Sequence, residues 1–147
     1  MSARRALALG AHPDDVEIYC LGTLLRLQSL GWQIGWVVAT DGQAGLPPNA
    51  ASGIRRHEAM AAAALVGVTP MLLGLQDGRL HDGTAEVAAL RLAVDAFAPT
   101  LLIAPSPNDY HPDHRALSRL AKAVCPLQTA LLLTDTMMGV GFLPCPT

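Results

Sequence analysis

Short apolar runs alternate along this chain with longer segments whose apolar residues recur every three or four positions, and that alternation constrains the fold most. The runs predict strands near Ala6–Gly10, Ile34–Thr40, Met71–Leu75, Thr100–Ala104 and Ala130–Thr134. The longer segments predict helices near Asp15–Leu30, Ser52–Val66, Thr84–Phe97 and Asp113–Val124. Strands that are apolar on both sides must be covered on both faces, and helices between successive strands supply the cover. The expected fold class is therefore α/β: a three-layer α/β/α, Rossmann-like domain with a mostly parallel sheet. With 147 residues, 51% of them hydrophobic, residues 1–147 suit a single domain with a sizeable core.

Charge narrows the partners. Only 15% of residues are charged, the formal net charge is -2, and Lys and Arg form no cluster, which excludes a nucleic-acid footprint or a basic membrane-binding surface. A small molecule is the expected ligand. The apolar run after Arg4 and Arg5 is broken by Gly10, His12 and two aspartates, so it does not read as a signal peptide, and no segment reaches the roughly 18 apolar residues of a membrane span. Cys20, Cys125 and Cys145 are an odd set without a CxxC pair, which suggests a reducing, cytoplasmic setting rather than a disulfide framework.

In a doubly wound sheet, ligands sit beyond the carboxyl ends of the strands. Two segments placed there echo each other: Ala11-His12-Pro13-Asp14-Asp15 and His111-Pro112-Asp113-His114. Proline suits the first position of a helix and keeps its predecessor extended, so each His should stand at a strand-to-helix corner. His111 and His114, spaced by three, should share one helix face. Asp14, Asp15 and Glu17 fall in a first helical turn, where the helix dipole keeps carboxylates ionised. Imidazoles and carboxylates converging at strand ends are the donor set of a hydrolytic divalent-metal site. The structural alternative for Asp14 is an N-cap, with Glu17 completing a capping box. The loops Thr40–Gly45, Gln76–Gly78 and Pro105–His111 should border the same rim, with Leu46–Ser52 above it. His57 and His81 read as surface residues and Cys20 as inert core.

AHPDDVE with Gly22-Thr23-Leu24, then TDGQAG, Arg55-Arg56-His57-Glu58-Ala59, Leu75-Gln76-Asp77-Gly78 and Asp109-Tyr110-His111-Pro112-Asp113-His114 resemble, in order and spacing, the LmbE-like or PIG-L family of zinc-dependent N-acetylglucosaminyl deacetylases. The resemblance covers essentially the whole chain. It implies His12, Asp15 and His114 as ligands of Zn2+, or of another divalent ion such as Fe2+. Asp14 matches the general base, and His111 the residue that stabilises the oxyanion or protonates the departing amine. Arg55 and Asp77 match substrate-binding positions. Asp109 and Asp113 are expected to orient the ligating imidazoles, because such rings usually donate their other N–H to a carboxylate or carbonyl. The implied reaction removes the N-acetyl group from an N-acetylglucosamine-containing small molecule.

Residues Asp135 to Phe142 resemble a late family segment, after which family members run on for several tens of residues. A C-terminus this short predicts an uncovered apolar edge and a homo-oligomer. Two rival readings compete with the hydrolase. A metal-binding but inactive or scaffolding relative keeps the ligands without turnover. A phospho-receiver module needs an acceptor Asp ending the third strand and a Lys near the last, whereas that strand ends Leu75-Gln76 and the sole lysine is Lys122.

Overall fold

In the computed structural model, which describes residues 3–134, the first strand is β1 (Arg5–Gly10), and all but its first residue are buried. Its alternate side chains enter different cores. Leu7 and Leu9 face one apolar cluster, and Ala8 faces the other. The same division recurs along β2 (Gln33–Thr40), where Val37 and Ala39 oppose Trp36 and Val38, and along β4 (Leu101–Ala104), where Leu102 and Ala104 oppose Ile103. A two-residue period that is apolar on both faces requires helices above and below, and they are present.

With β3 (Met71–Leu75) and β5 (Ala130–Leu133), the strands form one sheet in the order β3-β2-β1-β4-β5, every described pairing being parallel. Helices α1 (Asp15–Tyr19), α2 (Leu21–Ser29) and α3 (Ile54–Ala64) cover one face, with Val16, Leu24 and Ala63 in its core. Helices α4 (Thr84–Phe97) and α5 (Pro112–Val124) cover the other, contributing Leu90, Val94, Leu117 and Leu120. The expected three-layer α/β fold is what the chain forms.

Chain progression runs from β1 outward to β3, then returns to place β4 on the opposite side of β1. The direction of winding therefore reverses between β1 and β4. Diverging loops leave a crevice at such a switch point. The expected helix over Asp15–Leu30 is interrupted: Cys20, at φ −143° and ψ 4°, ends α1 and starts α2. Asp135 to Phe142 and Cys145 lie outside the described residues.

Candidate metal centre

His12 and Asp15 follow β1, and His111 and His114 follow β4, so the paired strands bring together residues about a hundred apart in sequence. His12 Nδ1, Asp15 Oδ2 and His114 Nε2 form a triangle with sides of 3.5, 3.2 and 3.2 Å. Ligands about 2.0–2.1 Å from a tetrahedral zinc ion stand about 3.3–3.4 Å apart. The triangle therefore has the dimensions of three corners of such a site, and its donors, two imidazoles and a carboxylate, suit zinc or ferrous iron.

Each ring is oriented from behind. His12 Nε2 donates to Asp113 Oδ2 at 3.2 Å and also lies 3.2 Å from Asp77 Oδ1, which directs Nδ1 at the triangle. Asp113 is itself fixed by the N–H groups of Gly78 and Leu80. His114 Nδ1 lies 3.0 Å from Asp109 Oδ2, close in distance although not aligned as a hydrogen bond. Asp15 is held by local backbone, its Oδ2 accepting from the N–H groups of Ala11 and His12 at 2.8 Å each.

His111 occupies the N-cap of α5 and its Nδ1 accepts the N–H of Asp113 at 3.2 Å. That bond leaves the ring proton on Nε2. Burial, with the neighbouring charges of His12 and His114, lowers its pKa and favours the neutral ring. Asp14 sits at the N-cap of α1 but makes no capping bond, so the capping-box alternative is absent. Its carboxylate instead accepts from Arg55 Nη2 at 2.8 Å.

Burial would lower the pKa of His12, but its hydrogen bond with Asp15 and the charges of Asp15 and Asp77 outweigh it and raise the value to about 9. Burial likewise opposes ionisation of Asp15, yet the hydrogen bonds and charges of His114 and His12 hold it below the usual carboxylate range. Burial of Glu17, reinforced by Asp14 and Asp15, raises its carboxyl.

These groups border an open cavity of about 410 Å³. Asp14, Arg55 and Asp77 line it together with Gly42, Ala44 and Gly45. Asp77 is less free than its expected substrate-binding role suggests, because its second oxygen accepts from Ala44 N–H at 2.9 Å. Ile18, Tyr19 and Tyr110 complete the wall; sequence reasoning placed the loop carrying Tyr110 at the rim but singled out none of the three side chains. The available signal for Ile18 was an apolar residue on the polar side of its helix, where it is 52% exposed. His57 and His81 are exposed as expected, and Cys20 is buried, its thiol pushed up to about 12 by burial and by Glu17 and Asp15.

Fold and centre together define a doubly wound α/β domain carrying a histidine–aspartate candidate metal site at its topological switch point. The profile of the PIG-L family, described as GlcNAc-PI de-N-acetylase, matches residues 7–125. The chain belongs to that family. It is 30% identical over 128 residues to the uncharacterized deacetylase YaiS of Escherichia coli K12, covering 81% of this chain and 66% of the relative. Among solved structures it is similar to the conserved protein TT1542 of Thermus thermophilus, with a TM-score of 0.79 and 30% identity over 90% of this chain and 66% of that one. It is also similar to the N,N'-diacetylchitobiose deacetylase of Pyrococcus horikoshii, with a TM-score of 0.74 and 31% identity over 83% of this chain and 49% of that one. The chain thus spans about two thirds or less of the length of these relatives. Among the described residues no helix is long and apolar enough to cross a membrane.

Proposed function

We propose that the chain is a metal-dependent amide hydrolase that deacetylates an N-acetylglucosamine-containing small molecule, releasing acetate and a free amine. The triangle of His12, Asp15 and His114 on the floor of the cavity carries this reading, since its sides of 3.2 to 3.5 Å suit one divalent ion. Membership of the PIG-L family and similarity to named deacetylases support it.

His12, Asp15 and His114 would hold zinc, or ferrous iron in its place, and Asp109 and Asp113 would keep the two rings in their ligating orientation. The ion would act as a Lewis acid, polarising the amide carbonyl and acidifying water. Asp14, on the cavity wall, accepts the proton of the attacking water. The water oxygen joins the carbonyl carbon, the C–N bond breaks, and the nitrogen departs protonated. His111 offers its Nε2 proton to the carbonyl oxygen as charge builds there, or to the leaving amine. Arg55 and Asp77 contact the sugar from the same side of the cavity as Asp14. Cys20 and Cys125 are free thiols, in keeping with action in the cytoplasm.

Metal content and acetate release, measured together on variants, test the assignment. Asp14→Ala should keep its metal and lose about a hundredfold or more in turnover, as expected for a general base. His12→Ala and His114→Ala should lose the metal itself. Equal metal loss in all three would overturn the division of roles. Bound metal without acetate release from any N-acetylglucosamine conjugate would favour the scaffolding relative.

A further inference from the structure

Three large apolar side chains of the cavity take no part in the hydrolysis proposed above: Ile18, Tyr19 and Tyr110. Their positions follow from the segments that carry the histidines and aspartates. Ile18 and Tyr19 stand one helical turn beyond Asp14 and Asp15, the Ile18 N–H donating to the Asp14 carbonyl at 3.1 Å, so each follows a carboxylate of the centre along the same helix face. Tyr110 directly precedes His111, the N-cap of α5.

The two phenol rings meet the centre edge-on. Tyr19 packs against His114 with ring centroids 5.7 Å apart and planes at 89°, and Tyr110 lies 6.0 Å from His111 and 6.5 Å from His114. The groups suited to hydroxyls have other neighbours. Arg55 donates to Asp14 at 2.8 Å, while Asp77 lies 3.2 Å from His12 and accepts from Ala44 N–H at 2.9 Å. The lining is thus sorted by chemistry, polar around Asp14 and Asp77 and apolar beside His111 and His114. Ile18 is 52% exposed and Tyr110 45% exposed, so neither is committed to the core.

We infer that Ile18, Tyr19 and Tyr110 form an acyl subsite, and that the chain hydrolyses amino sugars N-acylated with straight chains longer than acetyl, such as butanoyl. This rests on the proposed deacetylase reading and deepens it. The substrate amide has two arms: an amino sugar rich in hydroxyls, and an acyl chain with no polar group beyond its carbonyl. Hydroxyls match Arg55 and Asp77, which leaves the apolar arm to the apolar residues. One methyl group covers little of three such side chains. Added methylenes cover more, and each one fully removed from water is worth about fourfold in binding. The chemistry is unchanged: water adds to the carbonyl carbon, the C–N bond breaks, the nitrogen leaves protonated, and butanoate is released in place of acetate.

The methyl glycosides of N-acetylglucosamine and N-butanoylglucosamine isolate the acyl arm. With the metal-replete protein, kcat/KM should be higher for the butanoyl compound by about threefold or more. Ile18→Ser and Tyr110→Ser should each reduce that preference with the acetyl rate little changed, and Tyr110→Phe should keep it, since the ring and not the hydroxyl makes the contact. Equal or slower turnover of the butanoyl compound by the parent protein, or a preference that survives both serine variants, would overturn the inference. So would an equal loss on both compounds, which assigns the rings to the sugar or to the fold. If neither compound is cleaved, the deacetylase reading fails on these substrates, and calorimetry with the same two compounds still tests the subsite. Tighter binding of the butanoyl compound that Tyr110→Ser reduces would uphold it, and equal or weaker binding would overturn it.

Discussion

At the scale of single residues, the contact between Arg55 and Asp14 separates two roles for the arginine. A group that only grips the sugar affects KM, whereas one that also holds the carboxylate of the proposed base, Asp14, affects kcat. Arg55→Ala should therefore lower kcat by about tenfold or more with metal content unchanged, and Arg55→Lys should restore only part of it, because an ammonium cannot reproduce the planar guanidinium contact. A rise in KM with kcat intact would leave the arginine as a sugar contact alone. His12 makes a pH prediction. Its pKa in the metal-free protein is raised from 6.5 to about 9, so the stability it contributes is complete below pH 6.5 and is lost as pH rises through about 9. Thermal melts of metal-free protein should decline across that window, and apparent metal affinity should climb, since an incoming ion must displace the proton. A melting temperature independent of pH there would contradict the pairing of His12 with Asp15. The AHPDD and HPDH segments made the donors legible because proline reveals the corner that presents each histidine. What stayed hidden was which partner each group takes. Neither the hydrogen bond from Arg55 to Asp14 nor the capping bond of His111 has a signature in residue spacing.

At the scale of elements, strands were legible wherever both faces are apolar, as in β1 and β2. The break at Cys20 was not, because neither proline nor a turn cluster precedes it. Its cause is positional: α1 must keep Asp15 and Val16 buried beside the end of β1, while α2 lays Leu24 into the core. One straight helix over the segment would hold the later residues at the angle set by the first turn. Two glycines mark where elements approach too closely for a side chain. A Cβ on Gly35 would come within 2.5 Å of the Phe97 ring and 2.8 Å of Leu7, so Gly35→Ala should destabilise the fold by about 1–3 kcal/mol in chemical denaturation. Gly42 has φ +67°, and a Cβ there would meet Pro13 at 2.6 Å. Gly42→Ala should therefore disturb the AHPDD turn, lowering turnover as well as stability. Unchanged activity in that variant would show that the turn can yield without moving Asp14.

At the scale of the whole molecule, two cores divided by one sheet account for most of the stability, and a metal bound at the proposed centre would add to it. A ligand at a hundred times its dissociation constant stabilises by about 2.7 kcal/mol, which for a domain of this size corresponds to a rise of roughly 5–10 °C in melting temperature. Chelation should reverse that shift in the parent protein and have no effect on His12→Ala. Equal sensitivity to chelator in both would place the ion elsewhere. The layered architecture was legible because alternation and connection rules leave few arrangements open, yet sequence alone did not show that β4 would return beside β1. That neighbourhood decides when the centre can exist. While the ribosome is still extending the polypeptide, β1, β2 and β3 can pair with one another before β4 and the start of α5 have emerged, and up to then His12 and Asp15 wait as half a binding site. On the proposed reading, ion capture therefore waits until β4 and the start of α5 have joined β1, a clasp that closes across two strands rather than along one.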